Sequence, residues 1–302
     1  MTTLLEVDDV HHSYGSTQAL KGVSFAVSEG EMFGLLGPNG AGKSTLMAIL
    51  AGLRAPTRGG VRFSGEPLHP GNRAVKCRIG LVPQELALYP ELTAAENLRF
   101  FAALYRLPSA EIERRVTRIL DMIGLSDRAD DRAGTFSGGM QRRLNLGIAL
   151  VHEPTLILLD EPTAGVDPQS RNHLFEGIRK LNAAGIAIIY TSHYMEEVQA
   201  LCPRIGIIDH GKLIACDLLS NLLARLPGRI RFALAAPPSS WDGLAVQPFD
   251  SNWLLTCSDM PAAIVELIAW CGVRKLTITK LETETPNLER VFLHLTGQAL
   301  RD

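Results

Sequence analysis

Long apolar runs are missing from this 302-residue sequence, and none approaches the roughly 18 residues that a membrane-spanning helix needs. The first ten residues contain acidic side chains and no apolar core, so they are not typical of a signal peptide. Five cysteines are scattered without a CxxC pair, which indicates reduced cytosolic thiols rather than disulfides or a zinc site. We therefore expect any role at a membrane to depend on a partner protein.

An excess of one charge is also missing. The 30 lysines and arginines nearly balance the 32 acidic residues, which disfavours nucleic acid or an anionic lipid surface as a partner. The sequence contains no internal repeat and no low-complexity segment. Its 46% hydrophobic content is enough for a sizeable core, and its length suits one large domain with a smaller one.

The order of apolar and amphipathic stretches predicts an α/β fold. Runs that are apolar on both faces predict parallel strands covered by helices at 32–36, 79–82, 156–159, 186–190 and 205–209. Strands at 4–10, 23–27 and 61–63 suit an antiparallel edge region, and a helical insert spans about 85–150. We expect one domain over 1–219 and a small accessory α/β domain over 220–302.

Within the insert and the tail, local signals predict particular element ends. Thr93 and Glu96 form a capping box, and Ser109 is expected to cap the next helix. In the tail we expect a helix at 261–271, a strand at 273–279, and a last helix capped at Thr285.

A glycine-rich segment after the predicted strand 32–36 fits the pattern GxxxxGK[ST] and opens a predicted helix. Its glycines let backbone N–H groups face a phosphate, and the helix N-terminus adds positive potential. The lysine can reach the β- and γ-phosphates, and the serine hydroxyl can ligate Mg²⁺. A turn that merely contains a lysine is disfavoured by the flanking strand and helix. The residues are Gly37, Pro38, Asn39, Gly40, Ala41, Gly42, Lys43, Ser44 and Thr45.

Two carboxylates, Asp160 and Glu161, end the apolar strand 156–159. Ligands of such sheets bind at the carboxyl ends of the strands, beside the phosphate loop. Asp160 can hold Mg²⁺, directly or through water, and Glu161 can polarise the attacking water. By itself an Asp-Glu pair is often only a solvated strand end, but the phosphate loop favours the functional interpretation.

A Ser-Gly-Gly segment, Ser137, Gly138 and Gly139, precedes another predicted helix. Ser137 can cap that helix, and the glycines would let its amides approach an anion. Together with the two motifs above, one on each side of it in the chain, this segment makes the sequence closely resemble the ATP-binding cassette (ABC) ATPases from about residue 4 to 217. The resemblance implies a P-loop NTPase fold and a head-to-tail homodimer, in which this signature segment contacts the γ-phosphate bound by the other subunit.

The resemblance also implies further roles. Tyr14 would stack on adenine, and Gln84 would touch Mg²⁺ and the attacking water. His193 would contact the γ-phosphate and orient Glu161, while residues 164–167 would cross the dimer interface and Asp167 would cap a helix. Phe136, Met140 and Ala164 depart from residues that many members carry, which leaves hydrolysis unaffected and concerns only coupling between the two sites.

The segment 190–197 and the tail 285–297 resemble the separate ATPase subunits of bacterial drug-resistance, nodulation-factor and sodium exporters. This resemblance implies an ATPase on the cytoplasmic face of the cell membrane, working with transmembrane permease subunits and using ATP and Mg²⁺. The alternatives are a soluble ABC ATPase acting on ribosomes or DNA, an importer ATPase, and a non-hydrolytic regulator. The single phosphate loop argues against the soluble ABC ATPase, and the exporter-like tail argues against the importer. The intact Glu161 and His193 argue against the non-hydrolytic regulator.

Overall fold

The computed structural model describes residues 2–238, 240–250 and 252–297. Their contacts divide the chain into one compact unit that ends at Leu219 and a second that begins at Ser220. Within the described residues, no helix combines the length and the apolar character that crossing a membrane requires.

The first unit contains two sheets, and its antiparallel sheet has the order β2-β1-β4-β5. The second sheet has the order β10-β9-β3-β8-β7-β6, in which only the edge strand β10 is antiparallel to its neighbour. In chain order the elements are β1 (Thr3–Tyr14), β2 (Thr17–Ser28), β3 (Met32–Leu36), α1 (Lys43–Leu50), β4 (Arg58–Phe63), β5 (Glu66–Pro67), α2 (Arg73–Lys76), β6 (Ile79–Val82), α3 (Ala94–Leu104), α4 (Ser109–Met122), α5 (Gly138–Leu150), β7 (Leu156–Asp160), α6 (Pro168–Ala183), β8 (Ala187–Ser192), α7 (Met195–Leu201), β9 (Arg204–Asp209) and β10 (Lys212–Leu218).

The parallel strands form the centre of this unit. Every residue of β3, β7 and β8 is buried, as expected for strands covered on both faces. The predicted strands at 32–36 and 79–82 are confirmed without a change of boundary. Since β6, β7, β8 and β3 all run in the same direction, the loops after them open at one edge of the sheet.

The helical insert shows which local signals determine a helix start. The capping box at Thr93 is confirmed, because its hydroxyl accepts from the N–H of Glu96 and the Glu96 carboxylate accepts from the N–H of Thr93. The predicted cap at Ser109 is wrong. Pro108 occupies the cap position, where its carbonyl accepts from the N–H groups of Glu111 and Ile112, and Ser109 is the first helical residue.

The second unit is a small antiparallel sheet of order β12-β13-β11-β14 with a helical layer. Its core contains Ile230, Phe232, Leu255, Leu267 and Trp270. The elements from the boundary onward are α8 (Leu219–Ala224), β11 (Gly228–Leu234), β12 (Val246–Phe249), β13 (Asn252–Cys257), α9 (Met260–Val273), β14 (Ile278–Glu284) and α10 (Leu288–Thr296).

Two predictions in the tail are wrong. The strand expected at 273–279 begins only at Ile278, because α9 continues through Val273 and closes with a turn in which Lys275 adopts a left-handed φ of 55°. The last helix is capped by Asn287, whose side chain accepts from the N–H of Arg290, and not by Thr285.

Candidate nucleotide-binding site

The predicted phosphate loop joins β3 to α1 at the open edge of the parallel sheet. Two of its glycines have no space for a side chain: a Cβ on Gly37 would lie 2.3 Å from the carbonyl oxygen of Ile208. At Gly42 the φ is 104°, and a Cβ would lie 2.7 Å from the carbonyl oxygen of Ala19. The loop forms part of the wall of a cleft of about 290 Å³, and Ala41 of the loop is buried. The residues that line the cleft are Ala19, Pro38, Asn39, Gly40, Gly42, Lys43, Ser44, Thr45, Gln84 and Glu161.

Lys43 is buried within the loop, with only 4% of the residue exposed. Its ammonium donates to the carbonyl oxygens of Gly37 at 2.7 Å and Pro38 at 3.1 Å. It also lies 3.2 Å from Oε1 of Glu161. The one mobile positive charge of the loop is therefore held at the centre of the site, next to the predicted general base.

Glu161 brings three predicted site residues together. While Oε1 faces Lys43, Oε2 lies 3.0 Å from Nδ1 of His193 and accepts from Nε2 of Gln84 at 3.5 Å. An ionised carboxylate only accepts hydrogen bonds, so the ring proton of this contact belongs on Nδ1 of His193. The strands β6, β7 and β8 and the phosphate loop thus converge on one carboxylate.

The backbone of Glu161 is strained. Its φ of 47° lies in the left-handed region, which costs of order 1–3 kcal/mol for a residue with a side chain. Thr191 holds this conformation, because its hydroxyl and its carbonyl oxygen accept from the N–H of Glu161 at 3.0 and 3.2 Å. Such strain is typical of functional sites, where it fixes the direction of a reactive side chain.

Asp160 lies beside Ser44 at the end of β7. Its Oδ1 accepts from the Thr191 hydroxyl at 2.7 Å, and the Ser44 hydroxyl also donates to the carboxylate. Burial raises the pKa of the Asp160 carboxyl, and the hydrogen bonds from Thr191 and Ser44 oppose this rise only in part. A cation bound beside Asp160 would favour the ionised form that burial disfavours.

Tyr14 ends β1 at the rim of the phosphate loop. Its hydroxyl lies 3.4 Å from Oγ1 of Thr45, and 45% of the residue is exposed. The Arg54 guanidinium lies 4.8 Å from the ring centroid, and His12 contacts the ring edge-on at 4.8 Å. The phenol ring is thus supported from beneath and remains accessible at the entrance of the cleft.

The Ser-Gly-Gly segment is placed differently. Ser137 caps α5, as predicted, by accepting from the N–H of Met140 at 3.3 Å. The described residues that line the cleft do not include Ser137, Gly138 or Gly139. The fold of a single chain therefore does not bring this segment to its own phosphate loop. The two glycines also differ: a Cβ on Gly139 would lie 2.3 Å from Oγ of Ser170, whereas Gly138 faces open space.

Two contacts near the site had no signal in the sequence. The Arg142 guanidinium donates to the carbonyl oxygen of Gln84 and, at 3.0 Å, to that of Ala164. It thereby ties α5 to the loop after β6 and to the loop after β7, and its partial burial lowers the pKa of the guanidinium. Asp167 caps α6, as predicted, since its carboxylate accepts from the N–H of Ser170 at 2.9 Å.

This fold and site define a P-loop nucleotide hydrolase. The profile of the family described as "ABC transporter" matches residues 20–164. Relatives align over nearly the whole chain: the "Linearmycin resistance ATP-binding protein LnrL" of Bacillus subtilis is 41% identical over 99% of this chain and 100% of its own length. The "Nod factor export ATP-binding protein I" of Paraburkholderia xenovorans is 39% identical over 99% and 98%. The chain belongs to the ABC transporter family, as one of its ATP-binding ATPases.

Solved structures agree with this assignment. CbiO1 of Clostridium perfringens, part of the transporter complex cbiONQ, is 28% identical with a TM-score of 0.69, over 74% of this chain and 92% of its own. The cassette MJ0796, in a dimeric post-hydrolysis state with ADP and Pi, is 29% identical with a TM-score of 0.65 over 72% and 99%. The predicted P-loop NTPase fold of the ABC type, with its antiparallel subdomain, is confirmed.

Proposed function

We propose that this chain hydrolyses ATP for an ABC exporter, with Glu161 as the general base and separate permease subunits as its membrane partners. The observation that carries the chemistry is the Glu161 carboxylate, which lies 3.2 Å from Lys43 Nζ and 3.0 Å from His193 Nδ1. The export role is supported by the two relatives above, whose names state linearmycin resistance and Nod factor export and whose similarity extends through the tail.

The phosphate loop binds the triphosphate of ATP through Lys43 and through backbone N–H groups of residues 37–42, among which Pro38 has none. Phosphate oxygens carry more charge than the loop carbonyls that now accept from Lys43, so they are the stronger acceptors for its ammonium. The exposed ring of Tyr14 stacks on adenine at the rim, a contact worth about 1–3 kcal/mol.

Three oxygen-bearing side chains suit Mg²⁺: the Ser44 hydroxyl, the Asp160 carboxylate and the Gln84 amide. Hard oxygen donors of this kind are what the ion prefers, and the buried Asp160 needs a positive partner when ionised. When bound, Mg²⁺ neutralises charge on the β- and γ-phosphates. Asp160 also keeps Ser44 oriented by accepting its hydroxyl hydrogen.

Glu161 removes a proton from the water that attacks the γ-phosphorus, a contribution of about 10²–10⁴ in rate. Its Oε1 and Oε2 are already occupied by Lys43 and His193, which fix the carboxylate in one orientation. When ATP is bound, Lys43 moves toward the γ-phosphate, and His193 contacts the same phosphate. Gln84 lies next to both the Glu161 carboxylate and the attacking water.

Ser137 and Gly138 act on the ATP of a second copy of the chain. They lie outside the cleft of their own chain, yet Ser137 opens a helix whose N-terminal amides attract anions. In a head-to-tail dimer, the γ-phosphate bound by the partner chain lies at this helix N-terminus. In this arrangement the catalytic and nucleotide-binding residues all lie within 1–219, and residues 220–302 form an accessory domain. The dimer works at the cytoplasmic face of the membrane.

Mixed dimers test this arrangement. Ser137→Arg and Lys43→Ala each inactivate a homodimer, but a mixed dimer contains one composite site with both segments intact. Differently tagged chains should therefore trap ATP with a phosphate analogue after mixing, and neither homodimer should. If pull-down shows that mixed dimers form and they trap no ATP while wild type does, Ser137 serves its own chain.

Co-expression with a candidate multi-span membrane protein, sought among the neighbouring genes, tests the export role. The two proteins should co-purify in detergent, and inside-out vesicles should take up cargo with ATP only when Glu161 is intact. Co-sedimentation of the chain with ribosomes, without any membrane protein, would support the soluble alternative instead.

A further inference from the structure

A carboxylate outside the described chemistry is buried directly behind the site. Glu197 of α7 is 3% exposed, and its Oε2 accepts three hydroxyl groups. The donors are Thr163 at 2.8 Å, Tyr190 at 2.9 Å and Ser192 at 2.9 Å. Its other oxygen, Oε1, lies 3.7 Å from the Arg171 guanidinium.

Two of the donors to Glu197, Tyr190 and Ser192, lie in β8, and the third, Thr163, lies in the loop after β7. Thr163 follows Glu161 by two residues, and Ser192 directly precedes His193. Ser192 also accepts from the N–H of Tyr194, so its hydroxyl fixes the backbone on both sides of His193. One carboxylate oxygen thus joins the ends of β7 and β8 at the point where the chain turns into the site.

This arrangement suits a carboxylate as the acceptor. A carboxylate oxygen accepts several hydrogen bonds at once, and the hydroxyl oxygens of Thr163, Tyr190 and Ser192 all lie within 2.9 Å of Oε2. Burial and the nearby Glu197 charge raise the pKa of the Tyr190 hydroxyl, which keeps that group a donor. A neutral amide would be the weaker acceptor and would bring two hydrogens of its own.

We propose that Glu197 is a positioning residue for ATP hydrolysis, holding the loops of Glu161 and His193 so that their side chains stay 3.0 Å apart. The proposal deepens the proposed ATPase function and rests on it. Glu197 is not among the described residues that line the phosphate-loop cleft. Its effect reaches the reaction through the direction of Glu161, and displacement of a reacting group by about 1 Å costs up to about 10² in rate.

Glu197→Gln tests the proposal with Glu196→Gln as the matched control, because Glu196 is the adjacent residue and is exposed. We expect the kcat of Glu197→Gln to fall by about 10- to 100-fold with little change in the KM for ATP. Glu196→Gln should retain the wild-type kcat. If Glu197→Gln fails to fold, Thr163→Val removes one of the three donors and should lower kcat by a smaller factor. A wild-type kcat in the folded variant overturns the proposal.

A double-mutant cycle separates positioning from a general structural role. In a Glu161→Gln background, where the base is already absent, adding Glu197→Gln should change the residual single-turnover rate by a factor close to one. An equal loss in both backgrounds, or a parallel rise in KM, would show that Glu197 only maintains the fold. If wild type fails to hydrolyse ATP, or Glu161→Gln hydrolyses it normally, the proposed function fails and not the role of Glu197.

Discussion

Asp160→Asn should make the protein more stable and catalytically inactive. Burial raises the pKa of the Asp160 carboxyl, so its ionised form is less favourable in the folded protein than in the unfolded chain. A folded-state pKa above the unfolded value means that the free energy of unfolding falls as pH rises between the two values, and it stays lower at neutral pH. Asparagine keeps the shape of the side chain and removes the charge that causes this loss.

Two opposing contributions set the size of the effect. Removing the charge recovers part of a desolvation penalty of several kcal/mol. The amide oxygen can still accept the Thr191 hydroxyl, now 2.7 Å from Oδ1, so a charged hydrogen bond becomes a neutral one at a loss of about 1 kcal/mol. Because burial is the largest cause of the pKa shift, we expect a net gain on the order of 1 kcal/mol, or about 2–4 °C in thermal midpoint.

Differential scanning calorimetry without nucleotide or Mg²⁺ measures this gain. The gain should be present at pH 7 and shrink toward low pH, where Asp160 is protonated in both the folded and the unfolded wild-type protein. Asp167→Asn is the matched control with the opposite sign, since hydrogen bonds with Ser170 lower the pKa of that exposed carboxyl. Its midpoint should stay level or fall. An Asp160→Asn midpoint below wild type at pH 7 would refute the reasoning.

Two further pairs of substitutions follow from the site geometry. Gly139→Ala should lower the thermal midpoint, because its Cβ would collide with Ser170, whereas the midpoint of Gly138→Ala should not change; equal midpoints in calorimetry would contradict this. Tyr14→Ala should weaken ATP binding about 5- to 150-fold, the equivalent of about 1–3 kcal/mol of stacking, and Tyr14→Phe should keep most of the affinity. Titration of a fluorescent ATP analogue distinguishes these outcomes, and tight binding by Tyr14→Ala would place adenine elsewhere.

The features that could be predicted from the sequence are those that depend on local chemistry. The phosphate loop, the capping box at Thr93 and the cap at Ser137 each need a few adjacent residue types, and the structure confirms the helices that begin at these three places. Strands buried on both faces are equally readable, because β3 and β6 are short apolar runs between polar loops. Local rules failed at Ser109 and Thr285, where a carbonyl group or a neighbouring asparagine satisfies the helix start instead.

The supporting contacts of the site could not be predicted, because they join residues far apart in the chain. Arg142 lies 58 residues from Gln84, and nothing in a helical Gln-Arg-Arg segment distinguishes it from a surface arginine. Glu197 has the same appearance as the exposed Glu196 beside it, and only the packing of α7 buries one and not the other. Such pairings depend on tertiary structure and not on any periodicity of the sequence.

The single-turnover rate of Glu161→Gln measures the role of the carboxylate that joins Lys43, His193 and Gln84. With Mg²⁺ and ATP, the purified variant should bind nucleotide as tightly as wild type and lose at least about 10²-fold in hydrolysis. It should then elute from a sizing column as an ATP-bound dimer. Hydrolysis at the wild-type rate by a folded, ATP-binding Glu161→Gln protein would remove this carboxylate from the reaction and contradict the account.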